Sequence, residues 1–157
     1  MASDAGRSRS RRASPARRQT SGHRQVGHTA DVIVEAWGPD RETCLEEAVR
    51  GMVAAFADTR GSAPAAAVPF ELEVRGDEDA LVRLLEEVIY VVEVKRLLPV
   101  DIRVERDAGA GIRGVFHVIP LDRARIVGAA PKAVSWGGLR VAPEHSGLWR
   151  AHVTLDV

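Results

Sequence analysis

Apolar residues along this chain gather into two helical stripes, set among shorter stretches of alternating or β-branched character. Leu45, Ala48, Val49, Met52, Val53 and Phe56 follow the i, i+3, i+4, i+7, i+8, i+11 spacing of a single helix face. A helix lying on a sheet accounts for all six, and Asp40 stands ready to cap it. Leu81, Leu84, Leu85, Val88, Ile89 and Val92 make a second stripe, with Asp77 or Asp79 expected as its cap and Pro99 as the mark of its end. The texture from Val26 suits a strand ending near Trp37, where Gly38-Pro39-Asp40 stops it. Further strands are expected over 68–75, 100–106, 113–119, 132–141 and 149–157, with a hairpin turn at Gly109 to Gly111. Helices separated by strand pairs, rather than strict strand-helix alternation, predict an α+β domain whose mainly antiparallel sheet is covered by two helices.

The first 24 residues break this pattern. They contain no Leu, Ile, Phe or Trp and cannot bury enough apolar surface to offset the entropy of ordering. A disordered Arg- and Ser-rich tail over 1–24 and one folded domain over 25–157 are therefore expected, in keeping with 157 residues of 45% hydrophobic content. Charge divides the same way. The chain has 22 basic and 22 acidic residues, but the tail holds seven Arg against one acid, Asp4, which leaves the domain with a net charge of −6. An acidic domain repels phosphate backbones, so any nucleic-acid affinity is expected in the tail or in a partner.

Cys44 is the single cysteine, which excludes an internal disulfide and a Cys-based zinc site. No apolar run reaches the roughly 18 residues of a membrane span, and a cytoplasmic protein with no membrane association is expected. The tail's composition also fits an organellar transit peptide, although it lacks the large aliphatic residues of an apolar face. Gly-rich phosphate loops, GxSxG elbows and HExxH helices are absent, so the common catalytic motifs are excluded. Trp37 and Trp136 lie in apolar strand segments and are expected to be structural.

Three segments carry candidate chemistry. His28-Thr29-Ala30-Asp31 opens the first strand, where capping or a turn hydrogen bond would also explain a His three residues before an Asp. Leu155-Asp156-Val157 places a side-chain carboxylate beside an α-carboxylate. Hard oxygen donors of that kind favour Ca²⁺, Mg²⁺ or Mn²⁺ over zinc, while a frayed, solvated terminus is the plainer reading. Lys132, in Pro131-Lys132-Ala133-Val134-Ser135-Trp136, could simply lay its stem along an apolar strand.

Taken in order, these segments resemble the archease family, with its His-Thr-Ala-Asp element near the start and its Asp-aliphatic pair at the end. Intermediate matches are Ala36-Trp37-Gly38, Glu46-Glu47-Ala48, Phe56-Ala57-Asp58, Leu84-Leu85-Glu86-Glu87 and Lys132-Ala133-Val134-Ser135-Trp136, so the resemblance spans Val26 to Val157. The chain departs from the family's pattern at Gly137 and Arg125, positions where His is usual.

The resemblance implies an archease-like single domain with a metal site formed by Asp31, Asp156 and Val157. His28, Asp58 and Lys132 are candidate supporting residues, with a turn former the slightly preferred reading of Asp58. It also implies a non-enzymatic role: a divalent-metal-binding accessory protein that activates guanylylation and turnover of a GTP-dependent, RtcB-type RNA ligase joining 3′-phosphate and 5′-hydroxyl ends. That ligase works in tRNA splicing and RNA repair, and RNA would be met indirectly through it. Two other classes stay open on the residues alone: a standalone metal-dependent hydrolase using the same acids, and an RNA-binding adaptor acting through the Arg-rich tail.

Overall fold

The computed structural model describes residues 20–28, 31–106, 109 and 111–157. Its strands are β1 (Gly22–His28), β2 (Asp31–Gly38), β3 (Ala57–Asp58), β4 (Ala66–Glu73), β5 (Leu97–Val104), β6 (Gly111–Pro120), β7 (Arg125–Ile126), β8 (Ala133–Pro143) and β9 (Trp149–Asp156). Helix α1 (Arg41–Ala54) follows β2, and α2 (Asp77–Glu93) follows β4. The fold is α+β with antiparallel pairing throughout, but the strands divide into more than one sheet. A four-stranded sheet runs β1-β2-β9-β8, a three-stranded sheet β4-β6-β5, and β3 pairs with β7. Each helix packs against both larger sheets.

That double contact explains the helix compositions. All six residues of the α1-side stripe are buried, Leu45 and Ala48 completely. On α2 burial spreads beyond one stripe to Ala80, Val82 and Val91, because a helix touched on two sides needs a wider apolar arc. Gly51, in mid-helix, permits close approach: a Cβ there would lie 2.7 Å from Val34 Cγ1 and 3.1 Å from His23 Cβ.

Helix ends show where local rules held. The Asp40 carboxylate accepts the Thr43 N–H at 2.7 Å and caps α1 as expected. Neither Asp77 nor Asp79 caps α2. Gly76 takes the N-cap position at φ +129°, a conformation open to glycine, and Asp79 instead accepts the Arg75 N–H at 2.8 Å. Pro99 lies inside β5 rather than marking the helix end, beside a register irregularity where its missing N–H interrupts the ladder.

The domain begins earlier than the composition suggested. Gly22, His23 and Arg24, assigned to the tail, belong to β1, which forms a hairpin arm with β2 in place of one long strand from Val26. Apolar content marks a core, and β1 joins the sheet through backbone pairing and polar side chains instead. His23 Nδ1 lies 2.7 Å from Glu47 Oε2, and Arg24 pairs with Glu35. Residues 1–19, Thr29, Ala30, Asp107, Ala108 and Ala110 lie outside the described residues, which include Gly109 at φ +75°.

Helix side chains cover the exposed strand edges. Glu46 accepts the Val104 N–H of β5 at 3.0 Å, Arg50 donates to the Ile102 carbonyl at 3.3 Å, and Glu78 accepts the Val141 N–H of β8 at 3.4 Å. Arg50 also bonds Glu47 and Asp101, each at 2.8 Å, so β1, α1 and β5 are tied through one polar chain. Burial pushes the Glu47 carboxyl up, but hydrogen bonds from His23 and Arg50 outweigh it and hold the group below its ordinary range.

Burial raises the Glu46 carboxyl above its ordinary value, only partly offset by the Val104 N–H. A raised carboxyl stabilises the fold most below its unfolded value, near 4.5, and loses that contribution as pH climbs through its folded value. Glu46→Gln keeps an acceptor without the buried charge, so its melting temperature should match or exceed wild type at pH 7. Glu46→Ala leaves the Val104 N–H without its partner and should cost about 1–2 kcal/mol, or about 3–6 °C. Equal melting of the Ala and Gln variants would remove edge capping from the account. Truncation gives a second check. Removing residues 1–24 takes three residues and two ion pairs from β1, and should lower the midpoint by several degrees more than removing residues 1–21.

Candidate functional site

The two chain-distant acids meet in the β2–β9 ladder. Asp31 stands directly opposite Asp156, with His28 of β1 opposite Asp31 and Ala133 of β8 opposite Asp156. Directly opposed residues share a face, and both Asp side chains are exposed. The register is fixed one residue further in, where fully buried Leu155 pairs with Val32. A slip of one position would turn Leu155 out of the core. β9 is therefore held from both sides up to Asp156, whose carbonyl accepts the Lys132 N–H at 2.7 Å. Lys132 lies exposed beside this end, and Val157 is half-buried.

Asp58 is differently engaged. Its carboxylate accepts the Arg60 N–H at 3.1 Å and pairs with the Arg60 guanidinium at 2.8 Å, and these bonds hold it far below the ordinary carboxylate range. This is the turn-forming role. Arg125, at a position where the family pattern has His, stands opposite Asp58 in the β3–β7 pair. Gly137 sits in the irregular stretch of β8 between Ser135 and Arg140. Trp136 beside it is 58% exposed, which corrects the expectation of a structural role. The bulge takes it out of the alternation that an apolar strand segment implies. Trp37 is half-buried, with the Arg150 guanidinium 5.8 Å from its ring centre.

Among the described residues, no three His, Cys, Asp or Glu side chains assemble as a metal cluster. Cys44 is buried on α1 with its thiol pushed up to about 12 by burial, which makes it a poor ligand. The donors at the β2–β9 end are two exposed carboxylates, to which an α-carboxylate on Val157 would add a third oxygen group. This set fits a hard cation that keeps part of its water shell and offers nothing to a metal that prefers sulfur.

The open face of the four-stranded sheet holds a feature the sequence reading missed. Arg24, Glu35, His152 and Arg140 form one row across all four strands. The next row outward places Trp37 beside Arg150. Each residue sits in a period-two alternation, but only the register brings four strands' worth of alternation into one row.

A family model described as the Archease protein family (MTH1598/TM1083) matches residues 23–157. The chain belongs to the archease family. A Mycobacterium tuberculosis (strain H37Rv) protein named "Probable protein archease" is 42% identical over 138 residues, covering 88% of this chain and 76% of that protein. The Archaeoglobus fulgidus "Protein archease" is 29% identical over 142 residues, covering 86% and 98%. The solution structure of Methanobacterium thermoautotrophicum protein 1598 shares the fold at a TM-score of 0.69 and 20% identity, covering 87% of this chain and 99% of that one. The archease match begins at His23, within β1. No helix among the described residues is long and apolar enough to cross a membrane.

In this archease fold Asp31 and Asp156 are like charges held face to face, a pairing that costs stability in a ladder. Asp156→Asn should therefore raise the midpoint of the metal-free protein by about 1–2 °C, equivalent to a few tenths of a kcal/mol. A lower midpoint in Asp156→Asn would show that the carboxylates are not in opposition.

Proposed function

We propose that this chain is a non-enzymatic accessory protein that activates guanylylation and turnover of a GTP-dependent RNA ligase of the 3′-phosphate/5′-hydroxyl class, in tRNA splicing or RNA repair. The observation that carries the reading is the juxtaposition of Asp31 with Asp156 at an exposed end of the sheet, next to Val157. The residues support it in two ways. Their carboxylates are accessible to a partner, and they are too few to complete a hard cation's oxygen shell alone. Asp31, Asp156 and Val157 would hold a Ca²⁺, Mg²⁺ or Mn²⁺ ion, and the positions left to water are where a ligase's own nucleotide or metal centre would share it. A bound cation supplies charge neutralisation and an orienting point for phosphate oxygens. Lys132, just before β8, and His28 of β1 flank this end, while Asp58, engaged by Arg60, is left out of it. A cytoplasmic location follows from the same reading.

The test is a guanylylation time course with the cognate ligase. A C-terminal extension converts the α-carboxylate of Val157 into a neutral amide and moves the charge away. The extended protein should melt normally without metal, gain less stability from Ca²⁺ or Mn²⁺, and stimulate the ligase poorly. Asp31→Ala and Asp156→Ala should behave alike, and the extension should add little to either if the three groups act as one unit. Full stimulation by all three altered proteins removes the carboxylates from the mechanism. Phosphoester turnover by the protein alone, lost in Asp31→Ala, would favour the hydrolase reading instead.

A further inference from the structure

The strongest unassigned feature lies on the same open sheet face, at the other end from the carboxylates. A shallow depression of about 230 Å³ is lined by Arg24, Glu35, Arg140, Glu144, Arg150 and His152. Three guanidiniums face two carboxylates there, so the spot is positive within a domain that is negative overall. The carboxylates are already committed. Glu35 pairs with Arg24 and lies 3.6 Å from His152 Nδ1, and Glu144 lies 2.5 Å from Arg150 Nε. They fix two of the forks in place through their Nε atoms. Arg150 is held further by the Trp37 ring beneath it. Arg140, exposed and opposite His152 in the ladder, has no carboxylate in ion-pair range among the described residues. The β8 irregularity leaves the His152 edge uncovered. A Cβ on Gly138 would sit 3.9 Å from His152 Nε2, so any side chain there would start to roof the ring.

The geometry points to a binding site for a phosphate group on this face, formed by Arg140, Arg150 and His152 and oriented by Glu35 and Glu144. Guanidinium forks match phosphate oxygens in shape and charge, and an imidazole edge adds a further donor. The row of Arg140 is four residues along the strands from the row of Asp156, a separation of about 13 Å. That exceeds the screening length of about 8 Å at physiological salt, so the carboxylate end does not cancel the basic end. The phosphate could be carried by a single-stranded RNA or arrive as a free phosphate or nucleotide, and the chemistry is the same. The site stands apart from the ligase reading. Its test contains no ligase, so failure of either leaves the other standing.

The experiment is a titration of the full chain, ¹⁵N-labelled, with inorganic phosphate and with a single-stranded octaribonucleotide at constant ionic strength. The readouts are the Arg140 and Arg150 side-chain Nε–H signals and the Trp37 indole signal. These should shift saturably, and Arg140→Gln should weaken the fitted affinity about tenfold, as expected for loss of a charged hydrogen bond. Arg113→Gln, on the other sheet, should leave it unchanged. Saturation at much lower concentration with the octaribonucleotide identifies RNA as the source, and equal saturation per phosphate identifies free phosphate. Shifts reproduced by chloride, binding confined to the Arg-rich tail with the three signals still, or Arg140→Gln titrating like wild type would each overturn the site.

Discussion

The pairing of β2 with β9 is the constraint on which the molecule depends. It joins the beginning and end of the domain in the middle of one sheet, and its register is set by core-facing pairs: half-buried Val32 with buried Leu155, and the buried pairs Val34 with Val153 and Ala36 with Ala151. Because strand side chains alternate, fixing those three on the core face also fixes Asp31, Ile33, Glu35 and Trp37 opposite Asp156, Thr154, His152 and Arg150 on the outer one. Packing on one side thus dictates chemistry on the other. The carboxylate end and the arginine end are both consequences of how hydrophobic residues sit against α1 and α2.

The helices do a second job besides filling the core. Sheets with free edges invite pairing with other chains, and here Glu46, Arg50 and Glu78 occupy outward-facing backbone groups of β5 and β8. Part of that cover comes from a carboxyl that burial makes reluctant to ionise, so protection of the edge is obtained at some expense of stability at neutral pH. The Arg50 bonds to Glu47 and Asp101 offset some of this by linking the helix to β5 at a second point.

Much of the fold was legible because the dominant signals are local. The stripes over Leu45 to Phe56 and Leu81 to Val92 predicted both helices, and the Asp40 cap needed only its position before Arg41. What escaped depended on distant neighbours. β1 was assigned to the tail through Arg24 because it holds polar residues whose partners, Glu35 and Glu47, lie on other elements. The division into two larger sheets and a short β3–β7 pair was invisible because alternation reports that a strand has two faces, not which strands lie beside it. At the candidate site, the juxtaposition of Asp31 with Asp156 was legible through motif resemblance and the prospect of adjacent strands. Arg24, Arg140 and His152 were missed because each alone looks like an ordinary solvated side chain. Trp136 misled for the opposite reason: its apolar neighbours suggested burial, and a bulge undid the alternation.

Vectorial synthesis gives the strand order of the larger sheet a further meaning. β9 emerges from the ribosome after β1, β2 and β8, yet it belongs between β2 and β8. Until it appears, the β1–β2 arm and β8 have no route to one another, and each presents an unsatisfied inner edge to the cell. The sheet can close only when β9 is delivered, so the earlier strands must wait for one made after all of them. In that interval the growing chain is most open to pairing with the wrong neighbour.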